Sequence, residues 1–270
     1  MSRRAALPVL VALGALGVAS CASGEAASPP SAGPTVANVG ALPGTMRVGG
    51  TTTTTTTSPP RSPVRSSTST TVPTDADARP VGRLVDGNRV LVIGDSILAS
   101  TATRYGGDMC DRLVPMGWAV EIDAETGRRI GFGEQVLERR LAADWDAAVI
   151  MLGNNYDGDA EAFGEGLEAM LDELAPRPVV LLSVTQFEAN RAEVNYVLRE
   201  QAGQRPNVRV VEWADRTADD DGELLGGDGL HLTNEGRREL ALMVSRALGR
   251  APAGSEGDCL PTRFSDDSAG

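Results

Sequence analysis

The chain has 270 residues, enough for one domain of ordinary size or two small ones. It carries 37 acidic side chains against 25 basic ones, all of them arginine, for a net charge of −12. The first 80 residues hold six Arg and three acidic residues, so residues 81–270 hold 19 Arg against 34 acidic residues, a net charge of −15; this argues against nucleic acid or anionic lipid as the main partner, since both need a cationic face.

Arg3 and Arg4 precede an apolar stretch from Ala5 to Val18. It is too short to remain as a membrane-spanning helix and has the charged-then-apolar layout of a secretion signal. The stretch ends in Val18-Ala19-Ser20-Cys21, which resembles a bacterial lipobox. The resemblance implies cleavage before Cys21 and lipidation of its thiol, with an ordinary signal peptide as the plainer alternative. Ser2-Arg3-Arg4 is an incomplete twin-arginine motif, so the export route stays open. Residues 22–80 are rich in Thr, Ser, Pro, Gly and Ala, including an unbroken threonine run from Thr51 to Thr57. Too few large apolar side chains are present to offset ordering entropy, and a semi-extended tether is expected. Residues 1–21 are thus read as the signal, 22–80 as a disordered tether, 81–252 as the folded domain and 253–270 as a C-terminal tail. The location that follows is the outer face of the bacterial cytoplasmic membrane, with membrane contact through the lipid anchor only.

From Asn88 onward short apolar runs alternate with amphipathic ones. Arg89–Ile93, Trp118–Ile122, Ala147–Leu152, Pro178–Ser183 and Val208–Trp213 read as strands covered on both faces. Helices are expected near Ile97–Leu113, Gly133–Ala143, Asp159–Leu174, Ala189–Gln201 and Asn234–Leu248, the last capped by Thr233 or Asn234. This alternation predicts an α/β fold: a three-layer α/β/α, flavodoxin-like domain with a five-stranded parallel sheet of order 2-1-3-4-5. Reactive groups in such a sheet gather beyond the carboxyl ends of the strands.

The first strand ends in Gly94-Asp95-Ser96, the third in Gly153-Asn154-Asn155, and Asp228-Gly229-Leu230-His231-Leu232-Thr233 precedes the last helix. Each tripeptide alone is a weak signal, but their order and placement resemble the SGNH (GDSL-like) hydrolase superfamily across roughly residues 88–250. The resemblance implies Ser96 as nucleophile, His231 as general base and Asp228 as the group that orients it. It also implies an oxyanion hole formed by the Ser96 amide, Gly127 and Asn155. A serine hydroxyl is a poor nucleophile until an imidazole accepts its proton, and the imidazole needs a carboxylate to fix its tautomer. The plainer readings are a helix cap for Ser96, a turn former for Asp228 and a structural role for His231, the only histidine. Gly131 and Gly133 compete with Gly127, and Asp95 is read as holding the turn. Tyr156 stands where the family often has an aspartate.

One histidine and only Cys110 within residues 81–252 argue against a zinc site, and no cofactor or metal is expected. The resemblance implies an ester hydrolase, such as an esterase or deacetylase, acting on an ester-bearing small molecule or an acylated glycan as a monomer. The second block, Thr126-Gly127-Arg128, and the Asp228–Thr233 run look like the SGNH domains of bacterial cell-envelope acyltransferases. There the domain usually follows a multi-pass membrane module, so glycan O-acyl transfer is the alternative and hydrolysis the simpler default. A non-enzymatic envelope-binding lipoprotein is the third reading. Lipidation of Cys21 would leave Cys110 and Cys259 in an exported setting that permits a disulfide. The expected sheet order places both at the end of the domain opposite Ser96, with a buried Cys110 and a free Cys259 as the alternative.

Overall fold

The computed structural model describes residues 79–265. Cys21, the signal segment and the tether up to residue 78 lie outside the described residues. Among the described residues six strands form one parallel sheet: β1 (Arg89–Gly94), β2 (Ala119–Ala124), β3 (Ala147–Met151), β4 (Val179–Leu182), β5 (Val208–Val211) and β6 (Asp258–Cys259). Their order is β5-β4-β3-β1-β2-β6. The helices are α1 (Ser96–Ala99), α2 (Asp108–Leu113), α3 (Gly131–Arg140), α4 (Ala160–Leu174), α5 (Arg191–Gln204), α6 (Trp213–Arg216) and α7 (Asn234–Leu248).

The expected α/β fold and 2-1-3-4-5 order are present, and the alternation along the strands explains the layers. Val90, Val92, Val149 and Met151 join Leu113 of α2 and Leu240 and Val244 of α7 in one core. Leu91, Ile93, Ala148 and Ile150 face the other way, onto Val136 of α3, Leu167 of α4 and Val194 of α5. A side-chain period of two sends alternate residues to opposite faces, so strands with no polar alternation are buried on both sides. Asp159 and Thr233 cap α4 and α7 by accepting from the amides of Ala162 and Gly236.

Two expectations need correction. The helix anticipated over Ile97–Leu113 is broken twice: Ala102 turns extended, with ψ of 164°, between α1 and a 3-10 turn (Thr103–Tyr105), and Gly106 and Gly107, with φ of 119° and 82°, separate that turn from α2. A residue with a Cβ rarely takes those angles, and an α-helix cannot continue through them. The sheet also has six strands rather than five. Residues read as a tail run parallel to β2: Val120 lies opposite Cys259, the Leu260 amide donates to the Val120 carbonyl at 2.8 Å, and Ser265 bridges to Ala124. Asp123 Oδ1 anchors this strap, accepting from the Arg263 and Phe264 amides at 2.7 and 2.9 Å. Phe264 packs edge-on against Phe132 of α3, with ring centroids 5.5 Å apart. The strap covers a sheet edge that would otherwise expose unpaired backbone groups. Cys110 and Cys259 are joined by a disulfide across a sequence separation of 149. Cys259 is level with the start of β2, whereas Ser96 follows the end of β1, so the bridge sits at the far end of the strands.

Candidate active site

The candidate residues gather beyond the carboxyl ends of β1, β2 and β3 and in the loop before α7. Gly94 closes β1 where a Cβ would meet the Leu98 side chain at 2.7 Å, so glycine permits the tight entry into α1. Asp95 caps α1 by accepting from the Ile97 amide at 3.1 Å, which leaves Ser96, half-buried, as the first helical residue. Because α1 is a single turn, its dipole contributes little to Ser96, contrary to the long helix anticipated there.

Asp228 and His231 form a compact unit. Asp228 Oδ1 accepts from the amides of Leu230 and His231 at 3.0 Å each, and its Oδ2 lies 2.6 Å from His231 Nδ1. The His231 hydrogen bond, followed by those two amides, holds the Asp228 carboxyl down at about 2. A carboxylate on Nδ1 makes that nitrogen the donor and leaves Nε2 to accept a proton. The two side chains are 52% and 55% exposed. Among the described residues the Ser96 hydroxyl makes no hydrogen bond, to His231 or to any other side chain. Such bonds often tighten only when substrate is present.

Asn155 is half-buried in the loop after β3, and its Nδ2 donates to the Arg128 carbonyl at 3.2 Å. This bond joins the third block to the Thr126–Arg128 turn. Gly127 sits on that turn with φ of 73° and open space around its Cβ position; Gly131 and Gly133 instead belong to α3. Among the described residues no group of three or more His, Cys, Asp or Glu side chains is arranged to hold a metal ion.

Residues 92–239 match the model of the GDSL-like lipase/acylhydrolase family. The chain belongs to that family. It is 23% identical over 161 residues to the O-acetyltransferase OatA of Staphylococcus aureus, a match covering 58% of this chain and 24% of the relative. The chain thus spans about a quarter of the length of the curated relatives it matches. Among solved structures it resembles the C-terminal catalytic domain of Streptococcus pneumoniae peptidoglycan O-acetyltransferase A, at 18% identity and a TM-score of 0.50, covering 60% of this chain and 93% of that one. A G-D-S-L family lipolytic protein from Desulfitobacterium hafniense gives a TM-score of 0.52 at 18% identity, covering 60% of this chain and all of the other. These two likenesses are likenesses of fold.

Membership of a GDSL-like family puts Asp95, Asn154 and Arg191 in a new light, since sequence reasoning gave the last two no role. Asp95 is fully buried, and both its oxygens accept from Asn154 Nδ2, at 3.1 and 3.0 Å, while Oδ2 also accepts from the Asn154 amide at 3.2 Å. The blocks after β1 and β3 are thereby clamped together. Gly153, with φ of 128°, makes the turn that delivers Asn154 to Asp95. Tyr156, in place of the family's frequent aspartate, is buried and donates its hydroxyl to Glu193 Oε2 at 2.8 Å. Its hydroxyl is pushed up to about 12 by burial and by Glu193.

Burial raises Asp95 from 3.8 to about 6 against the opposing pull of the Ile97 and Asn154 hydrogen bonds. Burial likewise raises Glu121. A group raised on folding contributes stability that is complete below its unfolded pKa and lost as pH rises through its folded one. Asp228 has the opposite sign, but its contribution is lost only as pH falls toward about 2. The melting temperature should therefore be higher at pH 5 than at pH 7.5 at fixed ionic strength, and Asp95→Asn should flatten that slope. Differential scanning fluorimetry measures both, and a wild-type melting temperature that rises over this interval would contradict the account.

Proposed function

We propose that this chain is a serine-dependent ester hydrolase of the cell envelope, an esterase or deacetylase working through an acyl-serine intermediate. The observation that carries the reading is the Asp228–His231 pair, with Oδ2 at 2.6 Å from Nδ1, on the loop that leads into α7. In the proposed cycle Ser96 Oγ attacks the ester carbonyl while His231 Nε2 takes the hydroxyl proton. Asp228 holds the imidazole and offsets its charge. The oxyanion accepts hydrogen bonds from the Ser96 and Gly127 amides and from Asn155 Nδ2. Collapse expels the alcohol, which takes its proton from His231. Water, activated by the same imidazole, then releases the acid and restores Ser96.

Hydrolysis is favoured by exposure. Both members of the Asp228–His231 pair are about half exposed, so water can reach the base without a gate opening. A second reading, O-acyl transfer to an envelope glycan, is favoured by the similarity to the staphylococcal O-acetyltransferase. The same relatives support an acylated glycan as substrate and an extracellular site of action. Anchoring through Cys21 is part of the proposal, and the mass of the mature N-terminal peptide decides it. The two readings separate on the fate of the acetyl group from 4-nitrophenyl acetate, with and without chitooligosaccharide or peptidoglycan fragments. Hydrolysis predicts free acetate at an unchanged rate. Acetylated oligosaccharide accumulating at the expense of acetate would overturn it in favour of transfer.

A further inference from the structure

Arg191 opens α5 and is 4% exposed, yet among the described residues its guanidinium pairs with no buried carboxylate. Nη2 donates to the Asn154 carbonyl at 2.7 Å, and Nη1 donates to the Tyr156 carbonyl at 3.3 Å and to Asn190 Oδ1 at 2.8 Å. Its ion-pair partner is Glu188, at 3.3 Å and 57% exposed. The guanidinium lies 4.7 Å from the Phe187 ring centroid and 5.9 Å from that of Tyr156. Nε is buried without a hydrogen-bond partner. Burying a cation largely on main-chain carbonyls is costly and would be a poor choice for packing alone.

The two carbonyls it holds flank a single residue, Asn155. We propose that Arg191 is the positioning residue for Asn155, fixing the loop so that the Asn155 side chain points its amide at the oxyanion. The proposal rests on the reading of Asn155 as an oxyanion donor. A peptide plane is rigid, so holding the Asn154 carbonyl also orients the amide of Asn155. Holding the Tyr156 carbonyl fixes the chain on the other side. Asp95, just beyond the end of β1, grips the Asn154 amide and side chain, and Glu193, two residues after Arg191 in the same helix, holds the Tyr156 hydroxyl. With the main chain bracketed, Asn155 retains chiefly its own side-chain torsions. Donors in an oxyanion hole work because they are oriented before charge develops, and a displacement of about 1 Å can cost on the order of 100-fold.

The test uses Arg191→Met, which keeps much of the apolar stem, and Arg191→Lys, which keeps the charge with fewer donors. Asn155→Ala and the Arg191→Met/Asn155→Ala pair complete a cycle on 4-nitrophenyl acetate, run well below each variant's melting temperature. Asn155→Ala should lower kcat by about 100-fold or more. Arg191→Met should lower kcat by about 10- to 100-fold with KM changed only a few-fold, and Arg191→Lys should lose less. The decisive readout is non-additivity: with Asn155 already removed, Arg191→Met should cost almost nothing further. A folded Arg191→Met enzyme with wild-type kcat, or losses that multiply in the pair, would overturn the proposal. If Arg191→Met fails to fold, the same cycle built with Arg191→Lys decides in the same way. Should Asn155→Ala itself leave kcat unchanged, the oxyanion reading fails first, which distinguishes the two failures.

Discussion

Ser96→Ala and His231→Ala should each reduce ester turnover by about 10,000-fold or more, and the double substitution should cost little beyond either single one. The reason is that the hydroxyl and the imidazole act in one event. Without the base, the hydroxyl keeps its proton; without the hydroxyl, the base has nothing to activate. Asp228→Asn should be damaging but less complete, because an amide at that position can still contact Nδ1 while failing to stabilise the imidazolium. Steady-state rates on 4-nitrophenyl acetate, corrected for the uncatalysed background, give all four values. Near-normal turnover in His231→Ala would contradict the mechanism, as would single-variant losses that multiply in the double variant.

The second large effect concerns stability. Reduction of the Cys110–Cys259 bridge, or Cys259→Ser, should lower the melting temperature by about 10 °C or more. The bridge closes a loop with a sequence separation of 149. In the chain-entropy account a loop of that length is worth about 5 kcal/mol. The clamp also holds in place β6 and the strap whose Arg263 and Phe264 amides bond to Asp123. Activity measured well below the transition should survive, because the bridge lies level with the start of β2 and the candidate site lies beyond the strand ends. Thermal scans with and without reductant check the first part, and activity assays at low temperature the second. An unchanged melting temperature after verified reduction would contradict the role given to the bridge.

The sheet was legible because its strands are defined by local composition. Val90, Val92, Val149 and Val180 lie in runs whose burial on both faces leaves no polar alternation, and the intervening helices force parallel pairing. Ser96, Asn155, Asp228 and His231 could be named as candidates for a different reason: they occupy short motifs, the first two just after β1 and β3 and the last two just before α7. The features that were missed depend on contacts distant in sequence. The interruption just before α2 is the exception, being local: Gly106 and Gly107 lie inside a segment that is otherwise amphipathic. β6 is two residues long, and nothing local marks it; the disulfide and the Asp123 carboxylate, 139 to 141 residues away from the strap, hold it there. Arg191 lies in an ordinary charged helix start, and only the folded chain carries it under the Asn155 loop. Asn154 could have been suspected, since a second asparagine beside a candidate oxyanion donor needs a partner when buried.

The central claim is that Ser96 is the residue that becomes acylated. A fluorophosphonate probe, followed by peptide mass mapping, tests it most directly. The account predicts a single adduct on the peptide containing Ser96, none in Ser96→Ala, much slower labelling in His231→Ala, and labelling still detectable in Asn155→Ala. An adduct of equal yield in Ser96→Ala, or one mapped to a different serine, would contradict the claim.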